Sequence, residues 1–334
     1  MIEINFINFL LPFFCLILLF INRENISNKL SIIDKPDNKR KFHKKNISAL
    51  GGLHLAIVLF SFFIYLLKVN QLSNYTFVVG SFSLLLILII GTIDDQSSIN
   101  PSKKIFFFSL LILFLLLLNN NLVVTNIYFA SIDKELLLFN FSIIFSILCY
   151  LLIINCLNLI DGENGIFLTY VIFLFFIFFF QNNLIFYFYL GLLLFILICN
   201  LNNFFFTGNS GTNLASLFFS MITILFYNNN YVMPLTSKNL NAEIIFLIYL
   251  IPGIDMLRVF SERSFKGKNP FSPDRSHLHY LMLKIFKSNF VFIPYTIISI
   301  LPYFLTLIFD INLILLILLC VIFYSYFINY LKNK

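Results

Sequence analysis

Apolar runs recur along the whole chain, broken by short polar stretches in which Asn, Gly, Lys and Asp collect. A helix crosses the hydrocarbon core of a bilayer with roughly 20 apolar residues. By that measure the pattern predicts eleven spans, near 4–21, 47–67, 75–93, 105–118, 135–154, 166–180, 184–200, 214–228, 242–260, 289–308 and 310–331. The stretch 119–134, which alternates from Leu122 to Phe129, reads as a small extramembrane hairpin. No linker sets off a soluble domain, so residues 1–334 read as a single integral-membrane domain. The expected fold class is an all-α polytopic membrane protein with 10–11 transmembrane helices.

Composition agrees: 60% of the 334 residues are hydrophobic and 11% charged, with a mean hydropathy of +0.94. A soluble domain carries roughly 25% charged residues. The five cysteines (Cys15, Cys149, Cys156, Cys199 and Cys320) are scattered and form no C-x-x-C pair, which argues against a disulfide framework or a zinc knuckle. Met1-Ile2-Glu3 lacks the basic start of a signal peptide, so the first apolar segment is expected to be a retained helix.

Charge orients the spans. The loops at 22–46, 94–104 and 258–288 and the C-terminal tail hold 19 of the 22 Lys and Arg, leaving Lys68, Lys134 and Lys238 for the other side. Cytoplasmic loops carry the cationic excess, so the N-terminus is expected outside and the C-terminus in the cytoplasm. The +7 net charge then forms a basic cytoplasmic surface, suited to anionic lipid headgroups and phosphorylated substrates. Nucleic acid fits poorly, because the cations lie against the membrane.

The chemistry-bearing clusters fall on that same face, in the loops 22–46, 94–104, 155–165, 200–213 and 258–288. Asp94-Asp95 closes an apolar run, where unpaired charge is expensive and is usually functional. A helix cap at the membrane surface accounts for the pair equally well. Asn155-x-x-Asn158-x-x-Asp161-Gly162-Glu163-Asn164-Gly165 places polar residues three apart on one helix face. Amide carbonyls and a carboxylate are hard oxygen donors of the kind Mg²⁺ takes alongside phosphate oxygens.

Gly208-Asn209-Ser210-Gly211 opens a span with small residues, and backbone N–H groups at such a helix start can hold a phosphate. Asp255, Arg258 and Arg263 precede Gly267-Lys268-Asn269-Pro270-Phe271-Ser272-Pro273-Asp274-Arg275-Ser276-His277-Leu278-His279, whose cations can clamp phosphates. Zinc on the H-x-H pair is disfavoured, since no Cys or third His stands nearby. His54, inside a span, reads as a packed histidine. The first loop, with Asp34, Lys41, His43, Gly51 and Gly52, is undecided by itself between anchor and site.

Together these clusters resemble the polyprenyl-phosphate N-acetylhexosamine-1-phosphate transferase superfamily, with five motifs in family order from Asp34 to His279. The Gly267–His279 stretch is more similar to the UDP-GlcNAc:undecaprenyl-phosphate branch than to the phospho-MurNAc-pentapeptide translocases. The resemblance implies catalytic roles for Asp94, Asp95 and Asp161, and metal positions at Asn158 and Asn209. It implies substrate contacts from Lys41, His43, Lys104, Asn155, Asn164, Arg258, Arg263, Asp274, Arg275, His277 and His279.

The implied cofactor is Mg²⁺, with Mn²⁺ as the alternative. The implied substrates are a UDP-sugar and undecaprenyl phosphate, in a multi-pass protein of the bacterial inner membrane among membrane lipids. A homodimer is compatible with the sequence. The implied reaction moves a HexNAc-1-phosphate (GlcNAc by default) onto the lipid, releases UMP and begins a cell-envelope glycan. Three departures stand out: Asn209 and Asn164 where the family usually has Asp, and Ser48 in place of a usual proline. They keep an inactive paralogue open as an alternative. A translocase-like enzyme is the other enzymatic alternative. A transporter fits less well, because the polar residues lie at one membrane face and no internal repeat is seen.

Overall fold

The computed structural model describes residues 7–34, 47–236, 238–271, 274–309 and 311–334, and these are overwhelmingly helical. In chain order the elements are α1 (Ile7–Ile21), α2 (Arg23–Lys29), β1 (Ile33–Asp34), β2 (Ile47–Ser48), α3 (Gly51–Lys68), α4 (Asn74–Gln96) and α5 (Pro101–Leu118). They continue with β3 (Asn126–Phe129), β4 (Lys134–Leu137), α6 (Ser142–Leu159), α7 (Ile166–Phe179), α8 (Leu184–Leu201) and α9 (Gly208–Asn228). The last are α10 (Ala242–Phe265), α11 (Leu278–Met282), α12 (Phe292–Ile308) and α13 (Leu313–Asn333).

Local chemistry places the helix starts. Ser73, Asn183, Asn241 and Asn312 each accept a hydrogen bond on the side chain from a backbone N–H in the first turn of α4, α8, α10 and α13. Prolines inside α1, α10 and α12 (Pro12, Pro252 and Pro302) remove one backbone donor each, which bundled membrane helices tolerate.

Every expected span coincides with an apolar helix, but among the described residues nine are long and apolar enough to cross a bilayer, or ten if the bent pair α1–α2 counts as one. The shortfall from eleven has two sources. Helix α7 has 14 residues, because the Asp161–Gly165 turn and the Phe180–Asn183 turn close in on it from either side. Helix α1 breaks by 74° at Asn22. Boundaries shifted where polar residues proved helical. Helix α4 continues through Asp94 and Asp95, and α9 begins at Gly208, six residues ahead of the expected 214. The expected span from 135 starts later, at Ser142, because Lys134–Leu137 pairs as β4 with β3 in the anticipated hairpin.

The chain divides into two compact units. The first comprises residues 1–100 and 181–218. Helix α3 packs there against α1, α4 and α8. The β1–β2 pair joins Ile33 to Ser48 and Asp34 to Ile47. Ser48 in turn bridges Phe205, and the Gly51 N–H donates to the Phe206 carbonyl at 2.9 Å. His54 is the packed histidine that the sequence suggests: its Nδ1 lies 2.9 Å from the Leu50 carbonyl, and its ring stacks 4.2 Å from Phe205.

The second unit comprises residues 101–180 and 219–334. Helix α10 packs there on α6, α12 and α13, with α5 on α6 and α7 on α12. Its buried Glu243 accepts the N–H groups of Ala130 and Ser131 at 3.0 and 2.9 Å, pinning the tip of the β3–β4 hairpin.

Candidate functional site

In the first unit, the last turn of α4 carries the carboxylate pair. Asp95 accepts the backbone N–H of Asn209 on Oδ1 at 2.6 Å and that of Ser210 on Oδ2 at 3.0 Å. These N–H groups belong to the first turn of α9, where no carbonyl inside the helix is available. Asp95 therefore caps α9 from another helix, where negative charge also meets the positive end of the helix dipole. The sequence permits this approach at Gly91, one turn before Asp95: a Cβ there would stand 2.5 Å from Ser210 Cα. Asp94 is nearly buried, and its Oδ1 accepts the Ile99 N–H at 2.7 Å. Thus three expected site residues (Asp94, Asp95 and Asn209) come together, with Asp95 fixing the loop that carries Asn209.

The second unit holds the rest of the described candidates. Lys104 lies on the first turn of α5, half-buried, with Nζ 5.8 Å from the Phe108 ring centre. Asn155 and Asn158 sit in the last turns of α6, and Asp161 and Asn164 follow in the turn before Gly165, whose φ of 84° starts α7. All four are half-buried, and Asn155 Nδ2 donates to the Leu151 carbonyl at 2.7 Å. Glu163 accepts from Ser288 Oγ at 2.7 Å, and burial raises its carboxyl above the usual range.

The two histidines take different surroundings. His277 Nδ1 lies 2.9 Å from Asp255 Oδ2, while the Leu278 N–H also points at that carboxylate. The His279 ring runs parallel to that of His277, with centres 5.9 Å apart. It is 1% exposed, and neither of its nitrogens has a hydrogen-bond partner among the described residues. Burial, helped by the neighbouring His277, pushes its pKa down to about 3. His279 also presses on the Asn155–Gly165 motif, since a Cβ built on Gly162 would lie 2.0 Å from its Nε2.

The cations expected at substrate are engaged within the protein. Arg258 reaches Asp255, Glu262, Tyr324 and the Ser276 carbonyl, all at 2.6–2.8 Å. Arg263 forms a two-pronged pair with Asp274 at 2.9 and 2.8 Å and donates to the Pro270 carbonyl. That pairing holds the Asp274 carboxyl well below the usual carboxylate range. Arg275 is exposed and lies over Tyr280, 5.8 Å from its ring centre. Lys41 and His43 lie outside the described residues.

Among the described residues no group of three His, Cys, Asp or Glu is placed to hold a metal ion. The oxygen donors of Asn158 and Asp161 in one unit, and of Asp94 and Asn209 in the other, are hard; Asn158, Asp161 and Asn209 are half-buried, and Asp94 is nearly buried. That donor chemistry fits a divalent cation such as Mg²⁺ and does not suit a softer metal.

The sequence model of glycosyl transferase family 4 matches residues 77–228, which span α4 to α9 and include Asp94, Asp95, the Asn155–Gly165 motif and Asn209. A relative from Yersinia pestis, an undecaprenyl-phosphate alpha-N-acetylglucosaminyl 1-phosphate transferase, is 26% identical over 85% of this chain and 78% of its own. Over residues 77–228 the chain is similar to glycosyl transferase family 4. Two further relatives carry that same name. One, from Escherichia coli O157:H7, is 26% identical over 85% of this chain and 78% of its own. The other, from Pasteurella multocida strain Pm70, is 29% identical over 78% of this chain and 73% of its own. The chain is a multi-pass membrane protein.

Two residues at the centre of the Arg258–His277 network are not among the candidates the sequence marks. Asp255 stands in the richest polar cluster, yet nothing in the pattern marks it as the hub. Tyr324 lies in the apolar run of α13, where a tyrosine reads as ordinary bilayer-spanning sequence.

Proposed function

We propose that this chain transfers a HexNAc-1-phosphate, by default GlcNAc-1-phosphate, from a UDP-sugar to undecaprenyl phosphate at the cytoplasmic face of a bacterial inner membrane, releasing UMP. The observation that carries the reading is the join between Asp95 and the Asn209 loop. It unites two stretches, distant in sequence, that the resemblance assigns to one phosphate-handling site. The names of the relatives, matched over most of the chain, support the same reaction.

In the proposed reaction a phosphate oxygen of the lipid attacks the β-phosphorus of the donor. The bond from that phosphorus to the bridging oxygen breaks, and UMP departs with the electron pair. Phosphoryl transfer of this kind depends on positioning and charge neutralisation more than on covalent chemistry. Asp94 orients the lipid phosphate and takes its proton when it arrives protonated. Asp95 holds the α9 start, and so keeps Asn209 and the backbone of the loop in register with Asp94. Asp161, Asn155, Asn158 and Asn164 supply oxygens and amides to the donor side, with Lys104 and Arg275 as cations for its phosphates. Mg²⁺, held by Asn158 and Asp161 or by Asn209, would supply charge neutralisation of the diphosphate. The lipid-exposed helices seat the isoprenoid tail, which explains why an enzyme handling a soluble sugar nucleotide is mostly membrane-embedded.

Asp94→Asn tests the assignment, since it keeps the size of the side chain and the acceptor for the Ile99 N–H. Turnover is expected to fall by about 100-fold or more, as for loss of a general base, with an unchanged melting temperature. Near-normal turnover would remove Asp94 from the mechanism.

A further inference from the structure

The Asp255 carboxylate is 2% exposed and receives four donors. Tyr324 Oη donates to Oδ1 at 2.6 Å, Arg258 Nη2 to Oδ1 at 2.8 Å, His277 Nδ1 faces Oδ2 at 2.9 Å, and the Leu278 N–H approaches both oxygens at 3.1 and 3.2 Å. The Tyr324 hydroxyl is itself a bridge, because it accepts from Arg258 Nε at 2.8 Å. The network continues along α13. Lys332 Nζ pairs with Glu262 at 2.6 Å, and Glu262 accepts from Arg258 at 2.8 Å. Lys284, just beyond α11, donates to the Leu331 carbonyl at 3.0 Å at the end of the same helix.

We infer that Tyr324 and Asp255 are positioning residues for the nucleotide donor, acting through His277; the inference rests on the transferase reading. A buried carboxylate that faces one ring nitrogen fixes the tautomer and the plane of a histidine. Here the proton is held on Nδ1. Nε2, on the opposite side of the ring, is left for a ligand. A solely structural ion pair between Arg258 and Asp255 would need neither the tyrosine hydroxyl nor the imidazole. The hydroxyl restrains the carboxylate on the oxygen opposite His277, so the imidazole meets an acceptor that does not swing. By this account α13, which lies outside all five motifs, is the brace of the last loop.

Tyr324→Phe removes one oxygen and keeps the ring. The KM for the UDP-sugar is expected to rise about tenfold, the scale of one hydrogen bond to a charged group, with kcat within about twofold. In a His277→Gln background the same substitution is expected to add nothing, because its effect runs through the imidazole. Nitrogen-15 spectra of histidine-labelled full-length protein in detergent provide a readout independent of turnover, with His277 assigned by its loss in His277→Gln. Wild type should show one dominant Nδ1-protonated tautomer. Asp255→Ala should bring the two nitrogen shifts toward each other, and Tyr324→Phe should move them part of the way.

Equal KM effects in both backgrounds, or His277 shifts that ignore Asp255→Ala and Tyr324→Phe, would overturn the inference. A lowered melting temperature with KM unchanged would reduce Tyr324 to a packing residue and overturn it too. If wild type releases no UMP with any donor, the transferase reading fails alone, and the nitrogen shifts still decide the network.

Discussion

Gly162→Ala is the smallest change that should disturb the second unit. A Cβ at position 162 would stand 2.0, 2.8 and 2.9 Å from Nε2, Cδ2 and Cε1 of His279. Ordinary carbon contacts begin near 3.5 Å, so the imidazole has to retreat by more than 1 Å. Little room exists for that, because His279 is 1% exposed and packed against Tyr280 at 4.2 Å and Tyr295 at 6.1 Å between ring centres. Overpacking of this kind costs roughly 1–3 kcal/mol. At about 2 °C per kcal/mol for a chain of this size, the melting temperature should fall by about 2–6 °C. Thermal unfolding in detergent at pH 7, followed by tryptophan-independent circular dichroism, measures it. The decisive comparison is Gly162→Ala in a His279→Ala background, where the clash is absent and the methyl should cost almost nothing. A single variant as stable as wild type, or an equal loss in both backgrounds, would refute the contact.

Asp95→Ala leaves the Asn209 and Ser210 N–H groups without an acceptor, at roughly 1–3 kcal/mol for each buried donor; a denaturation midpoint equal to that of wild type would contradict the capping role. His279 should make stability depend on pH. Its folded pKa near 3 lies below the unfolded 6.5, so its contribution is complete above pH 6.5 and declines as pH falls toward 3. Between pH 6.5 and 5 the loss should reach about 2 kcal/mol, since the unfolded chain takes up a proton that the fold refuses. His279→Ala should flatten that slope, and an unchanged slope would assign it to other groups. Asn209→Asp is expected to lower the Mg²⁺ concentration for half-maximal UMP release, because a carboxylate replaces an amide oxygen; a higher requirement would place Asn209 outside the metal's reach.

Much of this fold is legible in the residue pattern, because lipid demands long apolar helices and leaves few other ways to satisfy the backbone. The hairpin after Leu122 follows from its alternating pattern, whereas the caps at Ser73, Asn183, Asn241 and Asn312 emerge from the structure. Hydropathy misplaces the boundaries at 94–96 and 208–213. There the polar residues stay helical, since Asp95 supplies the acceptor that the α9 start lacks. Individual motifs are visible as clusters, but their pairings are not. The sequence leaves open that Asp95 serves the backbone of Asn209 and Ser210, or that Arg263 and Asp274 neutralise each other, because those contacts depend on side-chain direction across 114 and 11 positions. Tyr324 was invisible for a simpler reason: in an apolar helix its hydroxyl has no sequence signature.

The central claim is tested most directly by UMP release from the purified full-length protein, supplied with undecaprenyl phosphate, Mg²⁺ and a panel of UDP-N-acetylhexosamines. The account predicts release that requires the lipid, the divalent cation and Asp94 together, with UDP-GlcNAc among the donors used. Folded protein that releases no UMP with any donor, and that stays inactive as Asn209→Asp, would contradict it.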